Sequence, residues 1–217
     1  LDGTTIVFNG DVLTGIDLPK VLHLHRHRKA SATIVLTPVD NPSAYGLVET
    51  DADGNVIRFL EKPDPNEISC NTINAGIYVL EPETFIRIPQ DTKYSIEHSY
   101  FPSLVDTNET FVAYIDESYW LDIGTSEKYL QAHRDIMTGR HPVKPFTGQS
   151  SGAPVIAPTA KIDSTANLEG PCFVGANAHI GAHANIKAHT VLSESVTVNE
   201  HAVIEGSILW PHSSVGS

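Results

Sequence analysis

The chain has 217 residues, 41% of them hydrophobic and 18% charged, with 15 Gly and 14 Pro. That suffices for one large domain or two small ones, and it excludes a disordered tail, a collagen-like rod and a disulfide-dense peptide. Lys and Arg number 14 against 26 Asp and Glu, a net charge of −12, so nucleic acid and anionic membranes are excluded as partners, and an anionic substrate needs local cations or a metal to hold it. No apolar run approaches the ~20 residues that span a bilayer. Cys70 and Cys172 form no metal-ligand or disulfide spacing, which points to a reducing, cytoplasmic compartment. The chain opens on Leu1-Asp2-Gly3-Thr4 and closes on Val215-Gly216-Ser217 partway through a repeat, as expected of an interior piece of a longer protein.

In chain order, Thr5-Ile6-Val7-Phe8 predicts a buried strand ending in Asn9-Gly10-Asp11. Residues 18–28 carry helical spacing (Leu18, Val21, Leu22, His25), and 32–36 are a second apolar strand. Two extended segments, 47–50 and 55–60, flank Asp51-Ala52-Asp53-Gly54, a hairpin turn signal. Residues 72–80 predict a strand, and 125–137 a helix with Tyr129, Leu130, His133 and Ile136 on one face. Strands interleaved with helices predict an α/β core with a mainly parallel, Rossmann-like sheet. That core spans 1–138, and a Gly-, Pro- and Ser-rich linker, 139–153, follows it.

From residue 154 to the end of the chain the periodicity changes. An aliphatic residue recurs every six positions: Ile156, Ile162, Leu168, Val174, Ile180, Ile186, Leu192, Val198 and Ile204. Two positions before most of them stands a small residue (Ala160, Ala166, Cys172, Ala178, Ala184, Thr190, Ala202) that lets the chain turn a corner without clashing. A six-residue period fits neither a helix nor an alternating strand. It fits a parallel β-helix, three short strands to a coil of about 18 residues, with one large aliphatic group per strand pointing inward.

Several constellations carry chemistry. Asp11 emerges from the carboxyl end of a strand, where open α/β sheets bind ligands, and Asp122 precedes a helix in Trp120-Leu121-Asp122-Ile123-Gly124-Thr125. Two such carboxylates brought together can hold Mg²⁺; separately, one is a turn residue and the other a helix cap. Glu61-Lys62-Pro63 ends a strand with adjacent opposite charges, either a surface ion pair or a pair bent into one cleft. Asn74 and Gly76 interrupt an apolar strand. The glycine marks a bulge or a close backbone approach, and an amide beside it can hydrogen-bond hydroxyls. Tyr45-Gly46, before the hairpin, permits the same interpretation, with ordinary strand packing as the alternative.

Asn9-Gly10-Asp11, Tyr45-Gly46-Leu47-Val48, Phe59 to Pro63, Ile73 to Tyr78, Ser95-Ile96-Glu97, Phe101-Pro102-Ser103-Leu104 and Tyr119 to Thr125 stand in an order and at separations that, with the hexapeptide tail, resemble the sugar-1-phosphate nucleotidyltransferases. The resemblance is greatest to the mannose-1-phosphate guanylyltransferase branch, and it covers nearly the whole chain. It implies a left-handed hand for the β-helix, Mg²⁺ on Asp11 and Asp122, and a sugar pocket lined by Tyr45 and Gly46. It further implies that Glu61 accepts from sugar hydroxyls, that Lys62 pairs with the sugar phosphate, and that Asn74 and Gly76 complete the sugar side. Asp11, Asp122 and Lys62 are then the catalytic set. The substrates are a nucleoside triphosphate and a sugar 1-phosphate, GTP and mannose first, with glucose and UTP or dTTP as the alternative. The family's Gly-rich triphosphate loop has no counterpart here, so the 217-residue piece by itself is expected to be inactive. Assembly into a homo-oligomer through the β-helix is expected.

Eleven histidines raise a metal alternative at His23 and His27, four apart on the first helix, and a general-base alternative at His179, His183, His189, His201 or His212 of the kind used by hexapeptide-repeat acyltransferases. A non-catalytic subunit that binds nucleotide sugars is a further alternative; retention of Asp11, Asp122 and Lys62 argues against it.

Overall fold

The computed structural model describes residues 3–60, 68–142 and 152–217. Two compact units are present, divided between Trp120 and Leu121.

The first unit is a sheet covered on both faces. Strands β1 (Thr5–Phe8), β3 (Ala32–Pro38), β4 (Leu47–Thr50), β5 (Val56–Leu60), β6 (Thr72–Leu80) and β7 (Phe111–Ile115) form it in the order β5-β4-β6-β3-β7, with β1 also paired to β6, while the short β2 (Val12–Thr14) stays outside it. β3 and β6 are almost continuously apolar because both of their faces are buried. Ile34, Leu36, Tyr78 and Leu80 pack with Phe101, Leu104 and Phe111 on one face; Val35, Ala75, Ile77 and Val79 pack with Val21 on the other. Helix α1 (Leu18–Arg28) supplies Val21, and α2 (Phe101–Asp106) supplies Phe101 and Leu104. α1 starts where the Asp17 side chain accepts from Lys20 N, and its last turn carries Arg26 and Arg28, cations that suit the negative end of its dipole.

The sheet is mixed, which corrects the expectation of a mainly parallel one. Among its described pairings only β3 with β7 is parallel; β1–β6, β3–β6, β4–β5 and β4–β6 are antiparallel. The physical reason is the tight turn at Asp51, whose carboxylate accepts from the Asp53 and Asn55 N–H groups. A connection that short joins only antiparallel strands, and β6 then returns between β4 and β3.

In the second unit, helix α3 (Ser126–Met137) precedes eleven two-residue strands, from Val155–Ile156 to Ser214–Val215, in three parallel ladders. They form a parallel β-solenoid of about three turns that matches a left-handed β-helix. Ile162, Ile180, Val198 and Val215 stack in one ladder, Leu168, Ile186 and Ile204 in the second, and Ile156, Val174, Leu192 and Leu209 in the third. Small residues such as Ala178 and Ala184 fill the interior just inside each corner.

The corners themselves are left-handed residues: Asn177, His183, His189, Ser195, His201 and His212 have φ between 56° and 63°. Asn and His tolerate that conformation better than most side chains, which gives these histidines a conformational role. The rings of His183 and His201 stack on successive coils at 5.1 Å. The last coil is one residue short, because Val191 pairs with Ile208 and Thr197 with Ser214. The shortening falls at Gly206, which takes the left-handed corner at φ 53°.

Candidate functional site

In the first unit the sequence candidates gather around an irregularity in β6. Between the pairs Ile34–Tyr78 and Leu36–Asn74, β6 advances four residues while β3 advances two. The extra length forms a bulge at Ala75 and Gly76, and Gly76 adopts φ 75°. A bulge re-aims neighbouring groups away from the ladder, and here three chain segments use those groups. Asn74 N–H donates to Gly46 O (2.9 Å), Asn9 N–H donates to Gly76 O (2.8 Å) and Trp120 Nε1–H donates to Ala75 O (3.0 Å). Trp120 also meets Tyr45 edge to face, with ring centroids 5.7 Å apart. The bulge thus ties together Tyr45-Gly46, Asn74-Ala75-Gly76, the Asn9-Gly10-Asp11 loop and Trp120.

Asn74 is buried, and its amide is committed within the protein. Oδ1 accepts from Gly76 N–H (3.0 Å), while Nδ2 donates to Tyr78 Oη and to Glu97 Oε1, both at 2.9 Å. Partner chemistry fixes this orientation, since a backbone N–H only donates and a carboxylate only accepts. The amide expected to meet hydroxyls therefore spends both N–H groups internally. Glu97 was not among the sequence candidates. Its signal was an acid in the Ser95-Ile96-Glu97 motif, on the helical turn Ile96–Tyr100, where Ser95 Oγ accepts from His98 N–H.

Asp11 is exposed, and no described residue pairs with it. Asp122 lies in the second unit; its Oδ1 accepts from Gly124 N–H (2.9 Å), and its Oδ2 stands 3.5 Å from Lys128 Nζ. Both carboxylates offer hard oxygen donors, which suits a hard divalent cation. No group of three or more His, Cys, Asp or Glu side chains arranged for a metal occurs among the described residues. Mg²⁺ is commonly held by one or two carboxylates together with substrate phosphates, so each of these side chains is of a type that suits it. Glu61 and Lys62 lie outside the described residues.

His23 and His27 are exposed, with rings 6.2 Å apart. Between them in sequence, His25 is fully buried, its Nδ1 at 2.8 Å from Thr33 Oγ1 and its Nε2 at 2.9 Å from Glu81 Oε1. It anchors α1 to the sheet. Among the described residues no helix is long and apolar enough to cross a membrane.

Residues 2–139 match the nucleotidyl transferase family, and residues 150–217 match the GMPPB C-terminal domain. A mannose-1-phosphate guanylyltransferase of Mycobacterium tuberculosis is 38% identical over 81% of this chain and 48% of its own length. A mannose-1-phosphate guanyltransferase of Eremothecium gossypii is 38% identical over 97% and 58%. A UTP–glucose-1-phosphate uridylyltransferase of Synechocystis is 32% identical over 99% and 56%. The chain therefore spans about half the length of these curated relatives. Among solved structures, HddC from Yersinia pseudotuberculosis is similar at 29% identity and a TM-score of 0.50, covering 59% of this chain and 53% of that one. Members of this family generally use a divalent metal. With residues 2–139, more than half of its length, matched by that family, the chain belongs to the nucleotidyl transferase family.

Proposed function

We propose that the protein containing this chain transfers a nucleotidyl group from a nucleoside triphosphate to a sugar 1-phosphate, with Mg²⁺ as cofactor and GDP-mannose as product. The observation that carries this is the convergence of Tyr45-Gly46, Asn9 and Trp120 on the Asn74–Gly76 bulge, in a chain whose relatives include mannose-1-phosphate guanylyltransferases. A sugar-phosphate oxygen attacks the α-phosphorus of the triphosphate in line. One P–O bond forms, the bond to the β-phosphate oxygen breaks, and pyrophosphate leaves. Two anions must meet, so alignment and charge neutralisation supply most of the rate. Asp11 and Asp122 hold the cation, which offsets phosphate charge. Lys62 pairs with the sugar phosphate, Glu61 accepts from sugar hydroxyls, Tyr45 and Gly46 line the sugar pocket, and Asn74 and Gly76 shape its remaining side.

Glucose with UTP or dTTP is the second reading, favoured by the similarity to the Synechocystis uridylyltransferase. Pyrophosphate release by the full-length protein, with four triphosphates crossed against mannose and glucose 1-phosphates, separates the two. Fastest turnover with GTP and mannose 1-phosphate is the expected result, and absence of turnover with every pair overturns transfer altogether. The same proposal includes a cytoplasmic setting and a homo-oligomer assembled through the flat flanks of the β-solenoid. A monomer by light scattering of the full-length protein would overturn the assembly.

A further inference from the structure

Nucleotidyl transfer gives no role to Glu97, the carboxylate that Asn74 holds beside the bulge. Glu97 is half-buried, and Asn74 is its one hydrogen-bond partner among the described residues, at Oε1. Its second oxygen, Oε2, receives no described donor. A carboxylate at neutral pH only accepts, and this oxygen is not closed off from solvent, so it can accept from a ligand. Asn74 meanwhile has no N–H left to offer a ligand. Its amide is locked at Oδ1 by the Gly76 N–H, so it presents Glu97 in one fixed orientation beside the bulge that also holds Gly46, Trp120 and Asn9.

From this geometry we infer that Glu97 recognises a sugar hydroxyl, with Oε2 accepting from it, and that Asn74 is the positioning residue that aims the carboxylate. An anionic oxygen repels phosphate and selects a donor, and a neutral polyol presents donors without bringing a charge to be buried. The inference rests on the proposed transfer to a sugar phosphate and adds to it a residue that sets which sugar is taken.

Glu97→Gln is the decisive variant in the full-length protein. The amide oxygen must face Asn74 Nδ2, so the new NH₂ group occupies the position of Oε2 and presents a donor where an acceptor stood. With GTP and mannose 1-phosphate, KM for the sugar phosphate rises about tenfold or more, KM for GTP stays within twofold, and the melting temperature holds. Mannose 1-phosphates lacking one hydroxyl each then identify the contact: wild type discriminates against one of them, and Glu97→Gln no longer does. Asn74→Ala gives the same sugar-specific loss, and combining the two adds little further; if Asn74→Ala fails to fold, Glu97→Gln alone decides. A Glu97→Gln KM within twofold of wild type, or equal losses with every deoxy analogue, overturns the inference while leaving transfer intact. A wild-type protein with no turnover overturns both.

Discussion

Asn9 sits over Gly76 so closely that a Cβ on the glycine would meet the Asn9 Nδ2 at 2.8 Å, while the Asn9 backbone N–H donates to the Gly76 carbonyl. The glycine is also at φ 75°, so an added side chain meets both a steric and a conformational penalty. Gly76→Ala is expected to lower stability by about 1–3 kcal/mol and to raise KM for the sugar phosphate by displacing Asn9. Thermal unfolding and steady-state kinetics on the full-length protein check the two effects separately.

Asp11→Ala and Asp122→Ala are expected to abolish pyrophosphate release while leaving the fold intact. Asp11 is exposed without a described partner, so its removal changes stability by about 0.5 kcal/mol at most. Lys62→Ala chiefly raises KM for the sugar phosphate. Circular dichroism with the release assay tests all three, and near-normal rates in each would refute the site.

The hydrogen bond from His25 holds the Glu81 carboxyl below its ordinary value of 4.5, with a further contribution from Thr4 Oγ1 and from the charge of Arg26. A depressed carboxyl stabilises the fold while ionised. That stabilisation is complete above about pH 4.5 and disappears as the pH falls through the depressed native value. The difference in unfolding free energy between wild type and Glu81→Gln is therefore expected to shrink as the pH falls below 4.5. Equal differences at pH 3 and pH 7 would refute the linkage. His25→Ala, which empties a fully buried site and takes from Thr33 and Glu81 the partner they share, is expected to cost about 2–3 kcal/mol.

Corner and interior positions of the β-solenoid are expected to respond oppositely to substitution. Ile180 and Ile186 are fully buried, so either one changed to Ala costs about 2–5 kcal/mol. His183 is exposed at φ 56°, so His183→Gly is near neutral, whereas a β-branched His183→Val costs about 1–2 kcal/mol. Chemical denaturation of the four variants distinguishes packing from backbone conformation.

Burial pushes the Cys172 thiol up to about 11, whereas Cys70 is half-buried with its Sγ–H directed at the Val48 carbonyl. At pH 8 the peptide carrying Cys70 is expected to take up a thiol reagent first, and the one carrying Cys172 only on unfolding. Mass mapping over a labelling time course reads this directly.

The elements most legible in the sequence were those whose pattern lies in the side chains themselves. Residues 18–28 and 72–80 form a helix and a strand over the expected bounds, and from Ile162 onward the sixfold aliphatic repeat turns inward as its period requires. Strand direction was not legible, because a strand buried on both faces looks equally apolar whichever way it runs. Gly76 announced the bulge, but not that the Asn74 amide would be spent on partners within the protein. Its partner Glu97 lies 23 residues onward, and no periodicity couples such a pair. The corner histidines were equally opaque, since a left-handed backbone preference is weaker than the chemistry that an imidazole suggests.

The missing residue at Gly206 shows how this prism tolerates indels. Leu209 and Val215 still face inward although the count from Ile204 has slipped by one. Each rung is phased by its nearest bend, not by its distance from the start of the array. Length changes can accumulate at the vertices over evolutionary time, whereas one extra residue inside a two-residue rung would turn an aliphatic group out to water.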